Sequence, residues 1–265
     1  MRTYNCVVCV KQVPDTKKVT GDAMKADGTI NRAALPAIFN PEDRNALEAA
    51  LSVKERYGGT VTVVTMGLPA AKAVLREALM CGADRAILLT DRKAAGSDTL
   101  ATSYILSQAV KSLKPDLVFC GRQAIDGDTA QVGPQIGEKL DVAGVTYLDK
   151  IELDGDTAVA TRDIGTGVET CRAQLPALFT VMEKFGELRP YKMRRVMKYK
   201  DAEPEILDCA AVGCEDSRCG FAGSPTNVNK IMSVVLAGGA FKEVPATDEG
   251  ISGLVAELVA DHTIG

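Results

Sequence analysis

Four short apolar runs, each followed by a turn and a helical pattern, constrain the fold of this chain more than any other feature. They are Asn5–Val10, Val61–Thr65, Ala86–Thr90 and Asp116–Cys120. Runs that are apolar on both faces suit the central strands of a parallel sheet covered by helices on each side. Asn40-Pro41-Glu42-Asp43 starts a helix in good chemical order: Asn as N-cap, Pro at N1, acids in the first turn. Ala46, Leu47, Ala50 and Leu51 give that helix its buried stripe, and Gly58-Gly59 stops it. Pro69 opens a second helix with Val74, Leu75, Ala78 and Leu79 on one face. Ser97-Asp98-Thr99 caps a third that runs to about Leu113, and Val132, Ile136 and Leu140 mark a fourth. The β-α-β-α order predicts an α/β fold, a Rossmann-like doubly wound parallel sheet with right-handed crossovers.

After residue 144 the texture changes. Val145–Leu153 alternates apolar and polar residues, turns at Asp154-Gly155-Asp156 and returns through Thr157–Ile164. With further strands near 168–173 and 177–182, this predicts an antiparallel extension of the sheet. Residues 186–200 are basic, with Met193, Val196 and Met197 interleaved. They read either as a solvated amphipathic helix or as a protein-docking element. From residue 203 the chain is rich in Gly, Pro, Cys and polar turns, with one apolar run, Ile231–Ala237, and a final amphipathic segment, Ile251–Val259. The expected organisation is an α/β domain over 1–185, a docking segment over 186–202, and a C-terminal arm over 203–265 laid on a partner subunit.

The unusual residues lie where the predicted strands end: Lys11–Asp15, Met66-Gly67, Ser97–Thr102 and Gly121–Gln131. In open α/β sheets that edge is where ligands bind. The loop from Cys120 to Pro134 leaves a strand, turns through Gly121, Gly127 and acidic residues, and enters a helix. Such a loop offers backbone N–H groups and a positive dipole end to an anion, and Arg122 adds a planar cation suited to phosphate. Pro134 places the regular helix start near Gln131–Gly133, so residues 126–130 are expected to wrap the phosphates of a nucleotide.

Several classes are disfavoured. The net charge of −4 speaks against a general nucleic-acid or membrane-surface role, and no run approaches the roughly 18 apolar residues of a membrane span. No basic-then-apolar signal layout opens the sequence, so the expectation is a cytoplasmic protein. The only histidine is His262, which argues against a Ser-His or Cys-His catalytic pair. Cys6 and Cys9 stand at an odd offset on a strand and so face opposite ways. Cys209, Cys214 and Cys219 follow C-x4-C-x4-C, a poor match to zinc or iron–sulfur spacings. No metal site and no protein catalytic residue is expected; the chemistry falls to a cofactor.

In combination these motifs resemble the β subunit of electron transfer flavoproteins along nearly the whole chain. The matching pieces are Val10–Thr16, Asn40-Pro41, Ala78–Asp84, Gly121–Asp126, Leu175–Leu178 and the basic segment Arg189–Lys200. Gly165-Thr166-Gly167 departs from the family at a surface turn. The resemblance implies an adenine-nucleotide-binding type of fold and a heterodimer with an α subunit that carries one FAD. In one branch the β subunit holds structural AMP. In the electron-bifurcating branch the same site holds a second FAD, which takes a hydride from NADH; one electron goes to ferredoxin or flavodoxin and one, through the α-subunit FAD, to an acyl-CoA-type or other flavin dehydrogenase. Ser97–Ser103, Gly127 within Asp126-Gly127-Asp128-Thr129, and Gly223–Thr226 resemble the bifurcating branch, so FAD is the expectation and AMP the alternative.

Carried over by residue, the resemblance puts Cys9 and Met66 towards the adenine and Asn40 and Asp43 beside the adenosine half. Arg122, Gln123, Ala124, Ile125, Asp126, Gly127, Asp128, Thr129, Ala130, Gln131 and Val132 hold ribose and phosphates. Asp98, Thr99 and Thr102 lie near the additional flavin half, although Asp98 also reads as a plain helix N-cap. Met193 is matched to the anchor for the partner dehydrogenase, although a Met on an amphipathic helix also reads as a packed side chain. An ATP-binding regulatory module of the universal-stress type shares this kind of sheet, but the chain shows no G-x2-G-x9-G phosphate loop.

Overall fold

The unbroken apolar run at the start of the chain becomes Tyr4–Cys9 (β1), hydrogen-bonded on both sides and the middle strand of a parallel sheet. The computed structural model describes residues 2–15, 35–226 and 242–264. After β1 come Gln12–Pro14 (β2) and Ala37–Phe39 (β3), a small antiparallel pair. Pro41–Tyr57 (α1), Gly59–Met66 (β4), Lys72–Cys81 (α2), Arg85–Leu89 (β5), Thr99–Ser112 (α3), Leu117–Gly121 (β6) and Val132–Leu140 (α4) complete the alternating half. Ala143–Asp154 (β7), Thr157–Asp163 (β8), Val168–Gln174 (β9), Ala177–Val181 (β10), Met193–Tyr199 (α5) and Glu205–Leu207 (β11) follow. The chain divides into two units, Met1–Asn229 and Lys230–Gly265.

Among the described residues the main sheet has nine strands, in the order β11-β5-β4-β1-β6-β10-β7-β8-β9. All pairs from β11 to β7 are parallel, and β7-β8-β9 is an antiparallel meander. The chain runs from β1 to β4 and β5 on one side, then crosses to β6 on the other. The gap beyond the ends of β1 and β6 is therefore the switch point where open α/β sheets hold ligands. Leu47, Leu75 and Ala78 of α1 and α2 pack on one face with Cys6 and Val8. Ile105 and Val110 of α3 and Ile136 of α4 pack on the other with Val7 and Cys9. Cys6 and Cys9 thus lie on opposite faces, as their offset requires.

Four expectations are corrected. Residues 177–181 are not part of an antiparallel tail: β10 inserts between β6 and β7 and is parallel to both. Its five residues are all buried, the signature of a central strand rather than of a half-solvated one. Pro69 begins a single 3₁₀ turn, Pro69–Ala71, before the α-helix proper. Of the basic segment only Met193–Tyr199 is helical. Residues 205–207, expected within the arm, form the sheet's edge strand beside β5. The expected turn at Asp27-Gly28 and the run Ile231–Ala237 lie outside the described residues.

In the second unit Asp248–Ala260 (α6) is capped by the Thr247 hydroxyl, which accepts the Gly250 N–H. Its apolar side chains Ile251, Leu254, Val255 and Val259 are exposed.

The rings of Phe119 and Phe179 stack across β6 and β10 with centroids 5.7 Å apart, both wholly buried. Replacing a ring here loses transfer free energy and leaves a cavity. Phe179→Ala is expected to cost about 3–5 kcal/mol, read as a lower midpoint in chemical denaturation; an unchanged midpoint would mean that β10 is not in the core.

Candidate functional site

The site is assembled by the first turn of α1. Asn40 occupies the N-cap, and its carbonyl accepts from Asp43 and Arg44, but its side chain does not cap the helix. Instead Asn40 Nδ2 donates to the Gln123 carbonyl (2.8 Å) and Oδ1 accepts from the Ile125 N–H (3.2 Å). Glu42 accepts from Arg122 Nη2 (2.7 Å) and Nε (3.1 Å) and from the Gln123 N–H (3.0 Å). Asp43 accepts from the Lys11 N–H (2.7 Å) and the Gly121 N–H (3.2 Å). Three polar positions flanking one proline thus fasten the loops after β1 and β6 to one helix end. Gly121 makes this possible: a Cβ there would collide with Asp43 Oδ1 and the Glu42 backbone.

A cavity of about 390 Å³ opens beside this junction, at the ends of β1, β4 and β6 and the starts of α3 and α4. Its size is within the usual range for small-molecule sites. Cys9, Asp43, Met66, Asp98, Thr99, Thr102, Arg122, Gln123, Ala124, Gly127, Asp128, Thr129, Ala130, Gln131 and Val132 all line it. Fifteen of the eighteen residues singled out from the sequence therefore meet around one space. The other three, Asn40, Ile125 and Asp126, do not line it. Asn40 and Ile125 bind each other behind the loop, and Asp126 pairs with Lys11 Nζ (2.8 Å). Val10, Lys11, Leu106, Cys120 and Gly133 also line the space and were not singled out as site residues. The signal for Leu106 was its spacing, four residues after Thr102 and seven after Thr99, on one helix face.

The loop between β6 and α4 has the backbone geometry that an anion site requires. Asp128 and Ala130 have left-handed backbone, φ 48° and 52°, and Gln131 is right-handed. A left-handed residue followed by a right-handed one turns successive N–H groups towards a common concavity. Holding Ala130 there costs about 1–2 kcal/mol, which the surrounding contacts sustain. Among the described residues, the N–H groups of Thr129, Ala130 and Gln131 have no hydrogen-bond partner. A Cβ at Gly127 would meet no protein atom within 4 Å. The loop thus leaves room at Gly127 and presents unpaired donors at the start of α4. Across the cavity, Thr99 Oγ1 donates to Gln131 Oε1 (2.8 Å) and Ser103 Oγ to Gln135 Oε1 (2.8 Å), which join α3 to α4.

Among the described residues, the two cations that line the cavity are both paired, Arg122 with Glu42 and Lys11 with Asp126. The hydrogen bond to Glu42 holds the Arg122 guanidinium above its ordinary value. Burial pushes the Asp43 carboxyl up to about 7, against the opposing hydrogen bonds from Asn40, Lys11 and Gly121. The hydrogen bond that the Cys120 thiol makes to Cys9, and then burial, raise the Cys120 thiol. Asp98 is the N-cap of α3, accepting from Leu100 (2.9 Å) and Ala101 (3.0 Å), and its other oxygen accepts from Thr226 (3.1 Å). Burial acts to raise its carboxyl, but these donors outweigh it and the group lies below its ordinary value. Met193 lies on α5, away from the cavity lining, with 74% of its surface exposed. In the same segment Arg195 binds the carbonyls of Leu79 and Ala83, and Arg189 binds Glu48.

Fold and site define a class: a doubly wound α/β protein with a ligand cavity at the switch point of its sheet. The electron transfer flavoprotein domain family matches residues 27–210. The chain is 43% identical to the electron transfer flavoprotein subunit beta of Clostridium acetobutylicum, over 98% of this chain and all of that one. It is 47% identical to the subunit of the same name from Megasphaera elsdenii, over 86% of each. It is 41% identical to the caffeyl-CoA reductase-Etf complex subunit CarD of Acetobacterium woodii, over 97% of this chain and 99% of that one. The chain belongs to the electron transfer flavoprotein family, on its β-subunit side. Its work is electron transfer, and no described helix is long and apolar enough to cross a membrane.

The raised Asp43 carboxyl makes a signed prediction. The folded chain holds this proton up to about pH 7, whereas the unfolded chain loses it near pH 4. The stability associated with it is therefore fully present below about pH 4 and lost as the pH rises to 7. Asp43→Asn is expected to remove that part of the slope of Tm against pH between about 4 and 7. Parallel curves for variant and parent would contradict it.

Proposed function

We propose that the cavity holds an FAD whose adenosine half lies towards Cys9, Met66 and Asp43 and whose flavin half lies towards Asp98, Thr99 and Thr102. The observation that carries this reading is the continuity of the space: one cavity joins the strand ends to the first turns of α3. The fit rests on the chain's own chemistry. The open side of Gly127 and the unpaired N–H groups of Thr129–Gln131 suit a diphosphate approaching the backbone closely. Because Arg122 and Lys11 are already paired, backbone dipoles rather than free cations supply most of the attraction.

When bound, FAD supplies the acceptance of a hydride from NADH and the parting of its electrons, one towards ferredoxin or flavodoxin and one towards a partner dehydrogenase through the α-subunit FAD. The chain's residues bind, orient and shield. Asn40 and Glu42 fix the loop backbone at 122–125; Asp98 and Ser103 hold α3; Val10, Met66 and Leu106 exclude water from the cavity. No side chain is required as a proton donor. The relative in Acetobacterium woodii is named for a caffeyl-CoA reductase-Etf complex, which supports an acyl-CoA-type dehydrogenase as partner here. The exposed Met193 on a basic helix suits the anchoring of that partner. The exposed apolar side of α6 suits packing of the C-terminal arm on the α subunit. Eight free cysteines suit a reducing cytoplasm.

The alternative, AMP in the same site, uses the adenosine side and leaves the α3 side to solvent. Acid release and chromatography of the purified αβ complex separates the two. The expected result is two FAD per αβ unit and no AMP; one FAD with one AMP would overturn the reading.

A further inference from the structure

We propose that Cys209, Cys214 and Cys219 form a thiolate site for a thiophilic divalent cation of the zinc type, which ties residues 208–226 to the edge of the sheet and so fixes one wall of the cavity.

The sequence spacing spoke against a ligand set, but the turns bring the three sulfurs together, all within 4.8 Å of one another. The Cys214 N–H bonds to the Cys209 carbonyl (2.9 Å), which closes the first five-residue loop, and Cys219 Sγ donates to the Glu215 carbonyl (3.4 Å). With Zn–S near 2.3 Å, tetrahedral geometry sets S···S at about 3.8 Å, so the sulfurs need close by only about an ångström. The Asp91 carboxylate accepts from the Cys209 N–H (3.2 Å) and reaches its thiol. It stands ready as fourth ligand or as partner of a ligating water. Three thiolates around a dication leave one negative charge, which Arg218, facing Cys214, offsets. Asp216 is occupied by Lys93 (2.6 Å).

The segment needs a tie of this kind. Beyond β11 its only described regular element is one 3₁₀ turn, Asp216–Arg218. Apart from the two cysteines Cys209 and Cys219, its buried apolar side chain is Val212. So small an apolar core does not order some nineteen residues by itself. Yet this segment holds the start of α3. Ser224 Oγ accepts the Asp98 N–H (2.8 Å), the Thr226 N–H reaches Asp98 Oδ2 (3.1 Å), and the Gly220 N–H reaches Ser97 Oγ (3.1 Å). Chiefly through burial, the Cys214 thiol is pushed up to about 12 and that of Cys209 is raised as well. Without a cation these are inert thiols rather than nucleophiles, and a bound cation displaces their protons.

The test uses the αβ complex purified under reducing, chelator-free conditions. Elemental analysis should find one zinc per β chain. Cys214→Ser should lower that content by about tenfold or more, while Cys171→Ser, which changes a cysteine outside the cluster, should keep it. Zinc-edge absorption should give sulfur neighbours near 2.3 Å. Amides at 97–101 and 208–226 should exchange faster in Cys214→Ser than in Cys171→Ser. Absence of stoichiometric zinc together with failure to take up Co²⁺, an equal zinc content in Cys214→Ser, or a disulfide within the three cysteines would each overturn the proposal. Flavin content is a separate readout, so the proposal can fail while the cofactor assignment stands.

Discussion

The rest of the structure depends on the grip of one helix end on two loops. The carboxylate of Asp43 takes the N–H groups of Lys11 and Gly121, Glu42 takes Arg122 and Gln123, and Asn40 takes Gln123 and Ile125. These bonds tie together segments from about thirty to eighty-five residues apart in sequence. They also place buried polar groups where each has a partner, without which burial would cost more than it returns. Asp43 is the most exposed to that balance. Its burial raises the carboxyl, and only donors from both loops keep it in place. The helix end therefore does two jobs: it completes α1, and it sets the mouth of the cavity.

The electrostatics of the cavity follow from the same arrangement. A motif read as Gly-Arg next to a phosphate loop suggests a free cation, but Arg122 is spent on Glu42 and Lys11 on Asp126. What remains for an anion among the described residues is a turn of backbone donors at residues 129–131, with Gly127 open beside it. Dipoles held rigidly in place need no reorganisation when a ligand arrives, and they do not add the net positive charge that would draw anions without discrimination.

The alternating half of the fold was legible because its strands are apolar on both faces, a pattern with few other solutions. The place of β10 was not legible. Its residues are as apolar as those of β6, but the crossover that inserts it between β6 and β7 is a property of topology and not of any local pattern. The candidate site was legible as loops, through their position after strands. What escaped was how they are held. Asn40-Pro41-Glu42-Asp43 reads as ordinary capping chemistry, and only the sheet order shows that its side chains face loops far along the chain. Ile125 and Asp126 belong to the loop motif yet do not line the cavity: the Ile125 N–H is taken by Asn40 and the Asp126 carboxylate by Lys11. For the three cysteines, spacing did not show that the sulfurs gather within 4.8 Å, since the chain's turns set the distances between them.

Amide hydrogen exchange across residues 121–133 tests the central claim most directly, comparing the αβ complex with its flavins bound and removed. The account predicts strong added protection at Thr129, Ala130 and Gln131 on binding, with Gly121 protected in both states by Asp43. Equal exchange at 129–131 in the two states would show that the backbone turn does not hold the cofactor, and would contradict the account.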